Sequence, residues 1–140
     1  LLVIGGGTIK DSWKSKKNVS FLGFVPSVFE AVKHCKALIA PIRFAGGTPS
    51  KIIEAMGYGI PVITTVNGAQ GISGTRDLEN IITLSESDSQ AWVHAIQKIM
   101  SDDQYRKQIG INGRALVTQS FSQESAKSAF LKRFESIINN

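Results

Sequence analysis

Ala40-Pro41-Ile42-Arg43-Phe44-Ala45-Gly46-Gly47-Thr48-Pro49-Ser50-Lys51-Ile52-Ile53-Glu54-Ala55-Met56-Gly57-Tyr58-Gly59-Ile60-Pro61-Val62-Ile63-Thr64-Thr65 is the stretch on which the reading of this 140-residue chain turns. It reads strand, glycine loop, helix, tight turn, strand. Gly46 and Gly47 permit close backbone approach, Thr48 is expected to cap the helix, and Pro49 suits its first turn because it has no N–H to satisfy. A helix that starts at a strand's carboxyl end points free amides and its positive dipole end at whatever sits there, which suits a phosphate.

At about 100° per residue, Ile52, Ile53, Ala55 and Met56 share one face and Ser50, Lys51 and Glu54 the other. Glu54 therefore points away from the core, about one turn into the helix. Its carboxylate could accept two hydrogen bonds from vicinal ribose hydroxyls while the first amides face phosphates, a spacing that fits a nucleoside diphosphate. The competing reading is a Lys51/Glu54 pair on a solvated face, worth a few tenths of a kcal/mol. On spacing alone that pair is the favoured reading.

Outward from this stretch, short apolar runs at Leu1 to Ile4, Val19 to Phe24, Ala37 to Ala40, Pro61 to Thr65 and Asn80 to Leu84 alternate with helical patterns. Helices are expected over Pro26 to His34, Pro49 to Gly57, Asp88 to Ser101, Asp103 to Thr118 with a break near Gly110 to Gly113, and Gln123 to Ile138. The alternation predicts α/β with a mainly parallel sheet flanked by helices. Ser87-x-x-Gln90 resembles a capping box ahead of Ala91, Ala95, Ile96 and Ile99, and Ser122 is expected to cap the last helix, with Ala126, Ala129, Phe130, Ile137 and Ile138 available for packing. The Gly-rich loop Val66 to Gly74 directly follows a strand, where such loops commonly line ligand clefts.

Length and composition bound the answer. One hundred and forty residues with 42% hydrophobic content make one sizeable core and render two full domains improbable. Charged residues at 19% and a mean hydropathy of +0.01 argue against extended disorder. No apolar run approaches the roughly 20 residues that span a bilayer, so a soluble chain is expected. The formal net charge of +5 favours anionic ligands or membrane surfaces without choosing between them. Leu1-Leu2-Val3-Ile4 reads as a strand within a fold rather than a signal peptide, which makes the chain look like a fragment.

The remaining candidates are weaker signals. Gly5-Gly6-Gly7 suggests a dinucleotide fingerprint, but Lys10 stands where the last glycine belongs, and Phe24-Val25-Pro26 supplies no ribose-binding acid, so the triplet reads as a turn lining a cleft or a plain loop. Lys10, Lys14, Lys16 and Lys17 cluster with Trp13; a solvated loop is the favoured reading, contact with phosphates or anionic lipid the other. Arg43 faces a pyrophosphate or pairs on the surface, with neither preferred. Cys35, His34 and His94 stand alone and give no metal signature. No Ser-His-Asp, Cys-His or paired-carboxylate arrangement is recognisable.

The run from Gly46 to Ile63 resembles the donor-site motif of retaining GT-B glycosyltransferases, the glycosyltransferase family 4 group. The resemblance extends to Leu2-Val3-Ile4-Gly5-Gly6-Gly7, to Val19-Ser20-Phe21-Leu22-Gly23-Phe24-Val25 and to the segment from Asn112-Gly113-Arg114 to Phe121-Ser122. It implies that residues 1–140 form a nucleotide-sugar-binding domain, the C-terminal, Rossmann-like half of a GT-B fold, with the C-terminal helices included. It places Glu54 at the second glutamate of an E-x7-E motif, which binds the donor ribose. Gly46 stands at the first glutamate, so no catalytic carboxylate is assigned. Gly47, Thr48 and Pro49 fall where backbone groups meet sugar and diphosphate, and Phe24 and Val25 beside the base; Gly5, Gly6, Arg43 and Lys51 complete the expected donor-binding set.

The resemblance further implies a nucleoside diphosphate sugar as donor substrate, no cofactor, no metal and no nucleic acid. The acceptor, a glycan, lipid or other molecule, would bind a separate N-terminal domain, and the protein would be cytoplasmic, with possible peripheral contact to a membrane. Leu1 to Ile4 match the second strand of such halves, so the first strand and helix are expected to be missing. These residues alone are then expected to be inactive, with a gap in the sheet and poor solubility. Two other readings stand beside this one: a non-catalytic nucleotide-binding or scaffold domain, and an NAD-dependent oxidoreductase module.

Overall fold

The computed structural model describes residues 1–44 and 46–122, and the chain divides into two compact units, residues 1–34 and residues 35 onward. Among the described residues every strand pairing is parallel.

In the first unit, β1 (Leu2–Ile4) and β2 (Ser20–Gly23) form a two-stranded sheet, with Leu2 opposite Ser20 and Val3 opposite Phe21. The register shifts after Val3, and the Gly5 amide continues the ladder to Gly23 O at 2.8 Å. Two short helices complete the unit, α1 (Asp11–Lys14), which the sequence pattern does not reveal, and α2 (Val28–Val32), where the Ser27 hydroxyl accepts from the Glu30 amide.

The second unit carries a three-stranded sheet in the order β3 (Leu38–Ala40), β4 (Val62–Thr65), β5 (Ile82–Leu84). β4 is central, and all four of its residues are buried, as its apolar run requires. Between the strands lie α3 (Ser50–Gly57) and the four-residue α4 (Val66–Ala69). After β5 come α5 (Ser89–Ser101) and α6 (Asp103–Ser120). Ile63, Ile82 and Ile99 are the centre of a core joined by Trp92, Ala95 and Ile96 from α5 and Tyr105 from α6.

Three local expectations are corrected. Asp88, not Ser87, caps α5, its carboxylate accepting the Ala91 amide at 2.9 Å, while the Ser87 hydroxyl bonds that of Ser85. Pro49, not Thr48, is the cap residue of α3, and no side chain caps it; the Pro49 carbonyl takes the amides of Ile52 at 2.9 Å and Ile53 at 3.2 Å. The helix thus begins one residue later than expected.

Nor does α6 break at its glycines. A Cβ on Gly110 would stand 2.3 Å from Gly59 O, and one on Gly113 3.0 Å from Asn80 O, so both glycines are contact points where the helix lies against backbone. The helix expected over Gln123 to Ile138, with its Ser122 cap, falls outside the described residues.

Candidate functional site

Parallel registry brings Ala40 beside Thr64 and Thr65 beside Leu84, so β3, β4 and β5 end on one edge and their following loops leave together. Three side chains, two at the end of β4 and one in α4, fasten the loop that leaves β3. Thr64 Oγ1 donates to Ala40 O at 2.8 Å, Thr65 Oγ1 donates to Ile42 O, and Asn67 Nδ2 donates to Arg43 O at 2.9 Å. Thr65 Oγ1 also accepts the Gly68 amide at 3.0 Å, capping α4. Buried Thr64 and Thr65 thereby satisfy hydroxyls that would otherwise be costly in a central strand. Sequence reasoning passed over these three residues; the available signal was a Thr-Thr pair closing an otherwise apolar strand.

The fastened loop leads into Gly46 and Gly47, both exposed, with Gly47 at φ 89°, a left-handed conformation that favours glycine. Against it packs the second glycine loop: a Cβ on Gly71 would lie 3.6 Å from Gly47 O and 3.7 Å from Thr48 Cα. Pro49 then opens α3, whose first amides, on Ser50 and Lys51, have no helical carbonyl behind them. These amides and the dipole make the start of α3 an anion-binding surface without any catalytic side chain.

Along α3 the faces separate as the period demands. Ile52, Ala55 and Met56 are buried, Ile53 is half-buried, and Ser50, Lys51 and Glu54 are exposed. Among the described residues Glu54 makes no ion pair, with Lys51 or any other cation, so the surface-pair reading of that spacing has no counterpart. The helix ends as its Gly57-Tyr58-Gly59 turn implies. Gly59 sits at φ 76°, its amide bonds Met56 O at 2.8 Å, and the Ile60 amide bonds Ala55 O at 2.9 Å.

Arg43 Nε lies 3.7 Å from the carboxylate of Glu86, which follows β5 on the same sheet edge, and both side chains are exposed. The structure therefore gathers Arg43, Gly46, Gly47, Thr48, Pro49, Lys51 and Glu54 onto one loop and helix. The other candidates belong to the first unit. Gly5 and Gly6 follow β1 and are exposed with open space around them, Phe24 after β2 is 87% exposed, and Val25 is half-buried. Among the described residues no three His, Cys, Asp or Glu side chains converge to hold a metal ion. No described helix is long and apolar enough to cross a membrane.

Among the described residues two titrations are displaced, both on α6. A hydrogen bond from Arg106 and its charge hold the Asp103 carboxyl below its ordinary range. Partial burial, followed by the charges of Asp77 and Asp102, pushes the Tyr105 phenol up.

Residues 1–102 match the family described as glycosyl transferases group 1. The chain belongs to this family. Among solved structures it is similar to HepE of Anabaena in complex with UDP-glucose, at 20% identity and a TM-score of 0.74. It is equally similar to HepE with UDP and glucose, at 20% identity and a TM-score of 0.75. Each match covers 96% of this chain and 40% of the HepE chain. The shared architecture is the C-terminal half of a GT-B fold, with parallel strands and flanking helices. No curated protein matches the chain.

Proposed function

We propose that residues 1–140 are the donor-binding domain of a retaining, family 4 glycosyltransferase, which moves a sugar from a nucleoside diphosphate sugar to an acceptor held elsewhere in the whole protein. The observation that carries this reading is the start of α3: a left-handed glycine turn, uncapped amides on Ser50 and Lys51, and an exposed, unpaired Glu54 one turn on, in a chain of this family. The amides of Gly47, Thr48, Ser50 and Lys51 take up charge on the departing diphosphate, and Glu54 holds the ribose hydroxyls. Catalysis by this half is electrostatic preorganisation, since Gly46 brings no carboxylate. The HepE complexes with UDP and UDP-glucose make a uridine donor the first to try.

The test is calorimetric binding of UDP, GDP, ADP and NAD to the full-length protein and to its Glu54→Ala variant. One diphosphate should bind saturably and bind about tenfold more weakly to the variant, the worth of a hydrogen-bonded charge. Preference for NAD, or diphosphate binding indifferent to Glu54, overturns the assignment, and no nucleotide binding supports the scaffold reading. Retention is read separately, from the anomeric configuration of the product.

A further inference from the structure

The positive charge of the chain is unevenly spread. Residues 1–34 hold five lysines against two acids, Asp11 and Glu30, and so carry three of the five net positive charges. Both acids are taken up by near neighbours, Asp11 by Lys14 at 2.8 Å and Glu30 by Lys33. Among the described residues Lys10, Lys16 and Lys17 form no ion pair. Three uncompensated ammonium groups within eight residues repel one another, and an anionic surface laid against them relieves that repulsion.

Trp13 stands among these lysines. Every residue from Lys10 to Asn18 is exposed, and Trp13 keeps 54% of its surface in water. Trp92 shows how the chain treats an indole that serves the core: it packs on Ile63, Ile82 and Ile99, and its Nε1 donates to Ser85 O at 2.9 Å. Trp13 has neither support. The helix that carries it, α1, buries no residue, and among the described residues its indole N–H has no acceptor and no lysine lies over its ring. An apolar ring with a donor at its tip, bracketed by free ammonium groups on flexible stems, suits the boundary of an anionic bilayer. There the ring meets acyl chains, the N–H meets water or ester carbonyls, and the ammonium groups meet phosphates. A single-stranded nucleic acid fits less well, because a stacking track needs aromatic side chains in succession and Lys10 to Asn18 holds one.

We propose that the exposed turn from Lys10 to Asn18 docks the protein on an anionic membrane surface, with Trp13 seated at headgroup level and Lys10, Lys16 and Lys17 against lipid phosphates. None of these residues belongs to the donor-binding set, so docking and nucleotide binding are separable. The test sediments the full-length protein with vesicles of phosphatidylcholine alone and with vesicles containing about one-third phosphatidylglycerol. Binding should require the anionic lipid and weaken as salt is raised. Lys16→Gln combined with Lys17→Gln should weaken it about thirtyfold, roughly fivefold for each charge, and Trp13→Ala about tenfold. These side chains are exposed, so urea midpoints and nucleotide binding should match those of the unaltered protein.

No binding to anionic vesicles, equal binding to both kinds of vesicle, or binding that the variants retain in full would each overturn the proposal. So would RNA bound as tightly as the vesicles and lost in the same variants, which would make the turn a nucleic-acid contact. Displacement from vesicles by inorganic phosphate, beyond that by chloride at equal ionic strength, would mark a discrete phosphate site and overturn it too.

Discussion

The two compact units share a plan of parallel strands alternating with helices, and they differ in what that plan buries. Among the described residues none in 1–34 is buried, whereas the second unit buries Ile52, Met56, Val62, Ile63, Ile81 and Ile82 almost completely. The helices of the first unit are four and five residues long, too short to cover a face of β1 and β2. Those of the second reach 13 and 18 residues and pack across β4 and α3. The glycines repeat the contrast. Gly5, Gly6, Gly7 and Gly23 have open space where a Cβ would go, as Gly46 and Gly47 do in the loop before α3, while Gly68, Gly110 and Gly113 of the second unit's packed part have backbone or a hydroxyl there. A parallel strand pattern thus specifies secondary structure, and stability comes only where both faces are covered.

The largest expected effect is a gap in hydrogen exchange between the units. Amides of β4 should open only with global unfolding, whereas those of β1 and β2 should exchange about a thousandfold faster or more, by local opening. Equal protection of Ile63 and Phe21 would break the comparison. Next in size is Gly110→Ala. Alanine favours a helix interior by about 1 kcal/mol, but its Cβ would meet Gly59 O at 2.3 Å, and backbone on both sides leaves little to yield. Overpacking should win, with a net loss of about 2 to 3 kcal/mol in urea denaturation. A stabilised variant would show that α6 does not lie against the α3 turn.

Much of this was legible in the sequence. All five strands sit within two residues of the apolar runs that announced them, because β-branched runs bounded by turn residues leave few alternatives. The buried and exposed faces of α3, and hence the outward Glu54, followed from period alone. What failed depended on tertiary contact. Gly110 looks like a helix breaker until Gly59 is seen against it, and Ser87 is as good a cap by composition as Asp88. Thr64, Thr65 and Asn67 gave no motif because their acceptors, Ala40, Ile42 and Arg43, lie more than twenty residues away in sequence.

Gly68→Ala tests the loop clamp with a smaller effect. The new Cβ would stand 2.1 Å from Thr64 Oγ1, so Thr64 must give up its bond to Ala40 O or the short helix must move. A loss of about 1 to 2 kcal/mol is expected in the urea midpoint, the range for a buried hydroxyl losing its acceptor. The control is Gly6→Ala in the first unit, where a Cβ meets nothing and the change should stay within about 0.5 kcal/mol. Equal costs at the two positions would erase the distinction drawn from the glycines.

The smallest effect concerns the surface of the second unit, where the contrast in burial should not matter. Asp103 is largely exposed and accepts from Arg106 at 2.6 Å, which lowers its pKa in the folded protein. A carboxyl lowered by folding contributes stability above its unfolded value, about 4, and that contribution fades as pH falls through the lower folded value. Urea midpoints of the unaltered protein and of Asp103→Asn should therefore differ at pH 6 and converge as the pH is taken below 4. Added salt should shrink the difference at pH 6, since an exposed pair is screened. A difference that persists undiminished at low pH would mean that Asp103 acts through packing or the first turn of α6 and not through its charge.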